Sequence, residues 1–150
     1  MSALLAFIKE NQSSAELLQL KESTHSVEEA AQAVQASTEQ LVKNICMISE
    51  DDELIVAIVK GEDRASTSRV SKALNIPRPR LANEHEIIDK SGFPAGGVPS
   101  FGFEATFLID PKVMETPVVY TGGGTAQSLI KIPSEELLRL SGGQVVRVRR

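Results

Sequence analysis

Lys43 stands in the run Leu41-Val-Lys-Asn-Ile-Cys-Met-Ile48, a single cation among apolar and β-branched neighbours. Strand alternation puts Lys43, Ile45 and Met47 on one face and Asn44, Cys46 and Ile48 on the other. A lysine so placed either snorkels to a sheet edge or faces a cavity that wants a cation. Two glycine segments accompany it. Phe93-Pro-Ala-Gly-Gly-Val-Pro-Ser-Phe-Gly102 mixes prolines and glycines in a way that neither a helix nor a regular strand tolerates. Gly122-Gly123-Gly124-Thr125 lacks the Lys-Ser/Thr of a P-loop and precedes a strand-like run rather than a helix. It reads either as a tight hairpin turn or as the backbone wall of a pocket.

Other chemistries find little support. His25 and His85 are far apart and have no neighbours at metal-ligand spacing, so no zinc signature exists. His25 fits a helix entrance, and His85 fits the exposed first turn of a helix. No serine sits in a nucleophile-elbow sequence, and no G-x-G-x-x-G is present. The one cysteine, Cys46, excludes an internal disulfide and fits a buried, inert thiol.

The 150 residues, 41% hydrophobic and 24% charged, suit one globular domain spanning 1–150. Aromatic residues make up 4% and tryptophan is absent, so the core must be aliphatic. No run approaches the roughly 18 apolar residues of a membrane span, and the first residues lack a basic leader region. A soluble, cytoplasmic protein with no membrane partner is expected. The net charge of −4 hides an asymmetry. Residues 1–58 carry three basic and ten acidic groups, whereas 60–80 carry six basic groups against Glu62 and Asp63. That basic stretch is either a solvated helix face or a contact for a polyanion.

These features need elements to position them. Helices are predicted at 2–10, from the Ser26 capping box to 34, at 37–40, at 67–75, from Asn83 to 89 and after Ser134. Strands are predicted at 15–22, 42–49, 54–61, 105–110, 117–122, 127–132 and 144–150, the second and third forming a buried hairpin. The pattern is a mixed α/β domain without repeats.

Taken in order, HSVEEAAQAV…STEQLVKNICMI, VAIVKGEDRAS…VSKAL, SGFPAGGVPSFGF and VYTGGGTAQSLIKIPSEELLRLSGG resemble the YbaK/ProX family of aminoacyl-tRNA deacylases. That family also supplies the editing domain of bacterial prolyl-tRNA synthetases. The resemblance runs from about residue 15 to 148. It implies an α/β fold with a strongly twisted, partly barrel-like mixed β-sheet surrounded by helices. It implies hydrolysis of the ester between a wrong amino acid and the tRNA 3′-terminal adenosine, in trans and without a metal or other cofactor. A small amino acid, alanine or cysteine on tRNA-Pro, is the expected substrate. The implied partners are the aminoacyl end and acceptor stem of a tRNA, with an aminoacyl-tRNA synthetase as a further one. The alternative is a module of the same fold that binds tRNA or a synthetase without hydrolysis.

Residue by residue, Lys43 matches the family's functional lysine, Gly96 and Gly97 its substrate loop, and Gly122, Gly123 and Gly124 its small-residue turn. Lys43 is expected to hold the terminal adenosine. Amides around Gly96, Gly97 and Val98 would face the scissile carbonyl, glycine there letting the substrate approach. Asn44, Met47, Ser100 and Phe101 are further expected substrate-binding residues, with Phe103 beside them. Ser100 is also a candidate for orienting the attacking water. Arg64, Arg69 and Lys72 are the expected tRNA contacts. Two departures stand out: family loops often read G-G-V-P-P-F-G-H, and here Ser100 replaces the second proline and Phe103 the histidine.

Overall fold

The computed structural model describes residues 3–21 and 26–150. His25 lies outside them, as do Ser2 and Glu22 at the limits of the predicted first helix and first strand. Helix α1 (Ala3–Glu10) packs Leu4 and Ile8 into the core, and strand β1 (Glu16–Gln19) follows. Helix α2 (Val27–Ala33) begins where the Ser26 hydroxyl accepts the Glu29 N–H. The Thr38–Gln40 stretch is one 3-10 turn closed by a Ser37/Gln40 capping box.

Strands β2 (Val42–Ile48) and β3 (Leu54–Lys60) form the predicted hairpin in antiparallel register, Lys43 opposite Val59. Six of the seven β3 residues are buried. Burying each such aliphatic side chain contributes about 1.5–3 kcal/mol, which makes β3 the spine of the fold. Helix α3 (Thr67–Leu74) starts on a Ser66 cap and stops at Asn75 in the left-handed region. Strand β4 (Arg80–Leu81) pairs with Met47 and Ile48, a strand that the prolines around it concealed in the sequence. Helix α4 (Glu84–Ser91) carries the expected Asn83/Glu86 capping box and ends at Gly92.

Strand β5 (Thr106–Ile109) leads into a short helix α5 (Pro111–Met114), capped by Asp110 and opened by a proline at its first position. Strands β6 (Val118–Gly122) and β7 (Ser128–Pro133) form the second hairpin. Helix α6 (Ser134–Ser141) closes at Gly142. Ser134 is its first helical residue rather than its cap, buried with its N–H on the Pro117 carbonyl. The expected strand at 144–150 contracts to β8 (Gln144–Val145), because the Asp110 carboxylate takes the Val148 and Arg149 amides and turns the chain off the sheet.

Two sheets result: β1-β7-β6, and β4-β2-β3-β5-β8 with parallel β3/β5 and β5/β8 pairs. They meet at a Leu41–Tyr120 bridge without closing into a barrel. The main core fills the space between them, with Cys46, Ile48, Val56 and Ile58 facing Val119, Ile130 and Ile132. On the opposite face of the larger sheet, Met47, Ile55, Ala57 and Val59 pack under Val70 of α3 and Val148. No helix of the described residues is long and apolar enough to cross a membrane.

Candidate active site

The two glycine segments, some 25 positions apart, dock backbone to backbone. Residues Ala95–Gly97 form a 3-10 turn, and the Gly97 carbonyl accepts the Gly124 N–H at 2.7 Å. A Cβ on Gly97 would lie 2.6 Å from the Thr125 nitrogen, and one on Gly122 would lie 2.1 Å from the Val98 carbonyl oxygen. Gly124 adds a φ of +98°, which side chains rarely adopt. The glycines at 97 and 122 are therefore required by each other's strand of backbone, not by an approaching substrate. Gly96 differs. It is exposed, and a Cβ there would meet only Ala126 at 3.9 Å.

The amides of this loop are not equivalent. The Gly97 N–H donates to the Pro94 carbonyl at 2.9 Å and is occupied. Those of Gly96 and Val98 donate to no described residue.

A closed ring of hydrogen bonds fixes the loop from below. The Ser100 hydroxyl donates to Asn44 Oδ1 at 2.7 Å, so the 2.7 Å contact between Ser100 and Thr121 must carry the Thr121 proton. Asn44 Nδ2 completes the ring by donating to Thr121 Oγ1 at 2.9 Å, and its second proton goes to the Val98 carbonyl at 2.8 Å. Flipping the Asn44 amide would set two carbonyl oxygens against each other, so the Val98 carbonyl fixes its orientation. Ser100 and Thr121 have no exposed surface. Ser100 is thus a structural hydroxyl with its proton spent, not a group facing bulk water.

Lys43 and Asn44 leave β2 on opposite faces. Lys43 shares its face with Val59, and its charged neighbours are Arg64 and Asp63. Burial, and then the Arg64 charge, lower its pKa below the ordinary lysine value, with Asp63 opposing. Its ammonium makes no hydrogen bond or ion pair among the described residues. β4 covers β2 only at Met47 and Ile48, so the outer edge of β2 at Lys43 and Asn44 is clear of β4.

The remaining expected residues divide. Met47 is fully buried under α3, on the face away from the loop. Phe101 is also fully buried and stacks on Phe7 with centroids 5.6 Å apart. Both sit in the core with no surface to offer a ligand. Phe103 is half-buried between Phe93 and Phe107, at 5.9 and 5.2 Å. Gly123 lies over Ser128, a Cβ there falling 2.7 Å from its hydroxyl, inside the turn. Arg64, Arg69 and Lys72 form no ion pair among the described residues, whereas Arg80 is paired to Glu86. His85 lies exposed in the first turn of α4. Burial raises the Cys46 thiol to about 11. Among the described residues no three His, Cys, Asp or Glu side chains converge as metal ligands.

Thr121 and Asp110 escape a reading by motif. The available signal is one polar side chain at the end of an apolar strand, as in Val-Val-Tyr-Thr and Phe-Leu-Ile-Asp.

Residues 21–140 match the family model of the aminoacyl-tRNA editing domain. The uncharacterized protein YwhH of Bacillus subtilis (strain 168) is 21% identical over 132 residues, 87% of this chain and 83% of that protein. A crystal structure described as a candidate trans-editing enzyme for prolyl tRNA synthetase superposes with a TM-score of 0.87 at 27% identity, covering 100% of this chain and 99% of its own. A second crystal structure, of a hypothetical protein, shares the fold with a TM-score of 0.91 at 24% identity, over 99% of this chain and 100% of its own.

Proposed function

The chain belongs to the aminoacyl-tRNA editing domain family, and on that premise we propose that it is a trans-acting deacylase that hydrolyses the ester of a small misacylated amino acid on a tRNA in the cytoplasm. The observation that carries this reading is the clasp between the two glycine segments, which holds the unoccupied Gly96 and Val98 amides on one rigid turn. An aminoacyl ester is already activated, so positioning and oxyanion stabilisation suffice for its hydrolysis. Water adds to the ester carbonyl, and the Gly96 and Val98 N–H groups receive the oxyanion. The neighbouring ribose hydroxyl relays the water's proton to the departing ribose oxygen, releasing the amino acid and a free tRNA 3′ end. Lys43 binds the polar end of the terminal adenosine at the edge of β2.

The similarity to a structure described as a trans-editing candidate for prolyl tRNA synthetase supports tRNA-Pro as the carrier, and the proposed misacylated amino acid is alanine or cysteine. A synthetase with a single apolar pocket discriminates one methylene by only about 1–3 kcal/mol, which leaves such errors to be corrected by a second, smaller site. Ser100 does not argue for a silent module. Its replacement of the family's proline is absorbed in the buried ring with Asn44 and Thr121.

The test is deacylation of a panel of mischarged tRNAs, with alanine and cysteine on tRNA-Pro among them. Rapid loss of one small amino acid is expected. If every ester decays at the buffer rate, the chain is not a deacylase.

A further inference from the structure

The basic stretch at residues 64–72 is continued in space by a segment that the sequence places some 80 residues later. The Ser66 N–H donates to the Val148 carbonyl at 2.7 Å, the Arg150 N–H donates to the Arg64 carbonyl at 2.8 Å, and Ala65 bridges to Arg149. One buried acid anchors this strap. Asp110 accepts the Val148 and Arg149 amides at 3.0 and 3.2 Å and the Arg149 guanidinium at 2.9 Å. The charge of Arg149 is spent there, and Val148 is fully buried beneath α3. Arg147 and Arg150 remain, both exposed and both without a carboxylate partner among the described residues. Arg147 spends only its Nε, on the Arg149 carbonyl at 3.3 Å.

We propose that the 146–150 strap and the 64–72 segment form one phosphate-binding surface for the acceptor end of an RNA, with Lys43 at the margin nearest the glycine clasp. The proposal rests on the reading of the chain as an aminoacyl-tRNA deacylase and adds a surface to it. Five cations, Arg64, Arg69, Lys72, Arg147 and Arg150, face the local acids Glu62 and Asp63 in a chain whose net charge is −4. Such a concentration attracts a polyanion through its backbone, without reading bases. An anionic membrane would attract the same cations, and Val145 beside the strap is exposed; RNA is chosen over lipid because the chain matches the aminoacyl-tRNA editing domain.

The experiment uses an uncharged acceptor-stem minihelix with a 3′ CCA end, titrated by fluorescence anisotropy from about 50 to about 200 mM salt. Arg147→Ala/Arg150→Ala is expected to weaken binding several-fold and to reduce the log–log salt slope by roughly 1.5, the loss of two phosphate contacts. Its thermal melting and its hydrolysis of a 3′-aminoacyl-adenosine lacking the stem should match the parent chain. Unchanged affinity and slope in this variant, with a loss in Arg64→Ala/Arg69→Ala/Lys72→Ala, removes the strap from the surface. Equally tight, arginine-dependent binding to phosphatidylserine vesicles overturns the choice of RNA. Arginine-dependent RNA binding by a protein that hydrolyses no charged tRNA leaves the surface standing and removes the deacylase reading alone.

Discussion

Lys43 and Asn44 are consecutive in the chain, yet they serve opposite faces of the larger sheet. The ammonium belongs with Arg64 and Asp63, and the amide belongs with Val98, Ser100 and Thr121. One strand edge thus carries a cation on one side and the support of a backbone loop on the other.

The glycines of the clasp separate folding from catalysis. Gly96→Ala places a methyl in open space, and its melting temperature should stay at the parent value. If the loop receives the ester as proposed, the methyl would displace it, and kcat/KM for deacylation is expected to fall about 100-fold. Gly97→Ala and Gly122→Ala drive a methyl into backbone, so both should lose about 1–3 kcal/mol or more in urea unfolding.

The Asn44–Ser100–Thr121 ring behaves as a unit. Removing one member strands the donors and acceptors of the other two in a buried site, at a cost of about 1–3 kcal/mol. Ser100→Ala and Thr121→Val should each show that loss in chemical denaturation. The double variant should cost less than their sum, because the second change removes a group already orphaned. Strict additivity would mean that the ring does not exist in solution.

Lys43→Ala is expected to lower kcat/KM for a mischarged tRNA roughly 10- to 100-fold, the range for a lost hydrogen bond to a charged group. The pH profile supplies a second readout. Burial and the Arg64 charge lower the folded pKa, so the ammonium is lost at a lower pH than in an ordinary lysine. kcat/KM should therefore decline on the alkaline side, after subtraction of spontaneous hydrolysis, below the ordinary lysine range. In Lys43→Arg the decline should vanish, since guanidinium keeps its proton.

Asp110 ties stability to acid. Burial pushes its carboxyl upward, but the Lys112, Val148 and Arg149 amides and the Arg149 charge outweigh this and leave it lowered. A lowered carboxyl stabilises the fold above its unfolded value and loses that contribution as the pH falls through the folded one. Asp110→Asn should reduce stability at neutral pH and flatten the acid limb of a stability-versus-pH curve. Glu86, half-buried and held down to about 2 by Arg80 and the Asn83 amide, remains in that variant as an internal reference.

Much of the scaffold was legible in the sequence, for local reasons. The 42–48/54–60 hairpin follows from β-branched runs around an acidic turn, and the Ser26 and Asn83 helix starts follow from side chains that reach their own backbone. The candidate site was legible in part. Glycine runs and a lone lysine marked the region, but the reason for Gly97 and Gly122 lies in a contact between distant segments that no local pattern encodes. Met47 and Phe101 illustrate the limit: size and apolarity suit a pocket wall and a core equally, and only the fold decides. The strand at 144–150 failed for a similar reason. Val146 and Val148 alternate with arginines as a strand should, yet a buried aspartate nearly forty residues away redirects the chain.

The ring has a kinetic consequence. Each of the two hairpins closes a short loop, whereas Asn44 and Thr121 are separated by 77 positions and meet only after the hairpins dock. Closing long loops costs entropy before any contact rewards it, so such pairings form late. During refolding, secondary structure should return before the proposed deacylase activity. The interval between the two signals times the docking of one hairpin on the other.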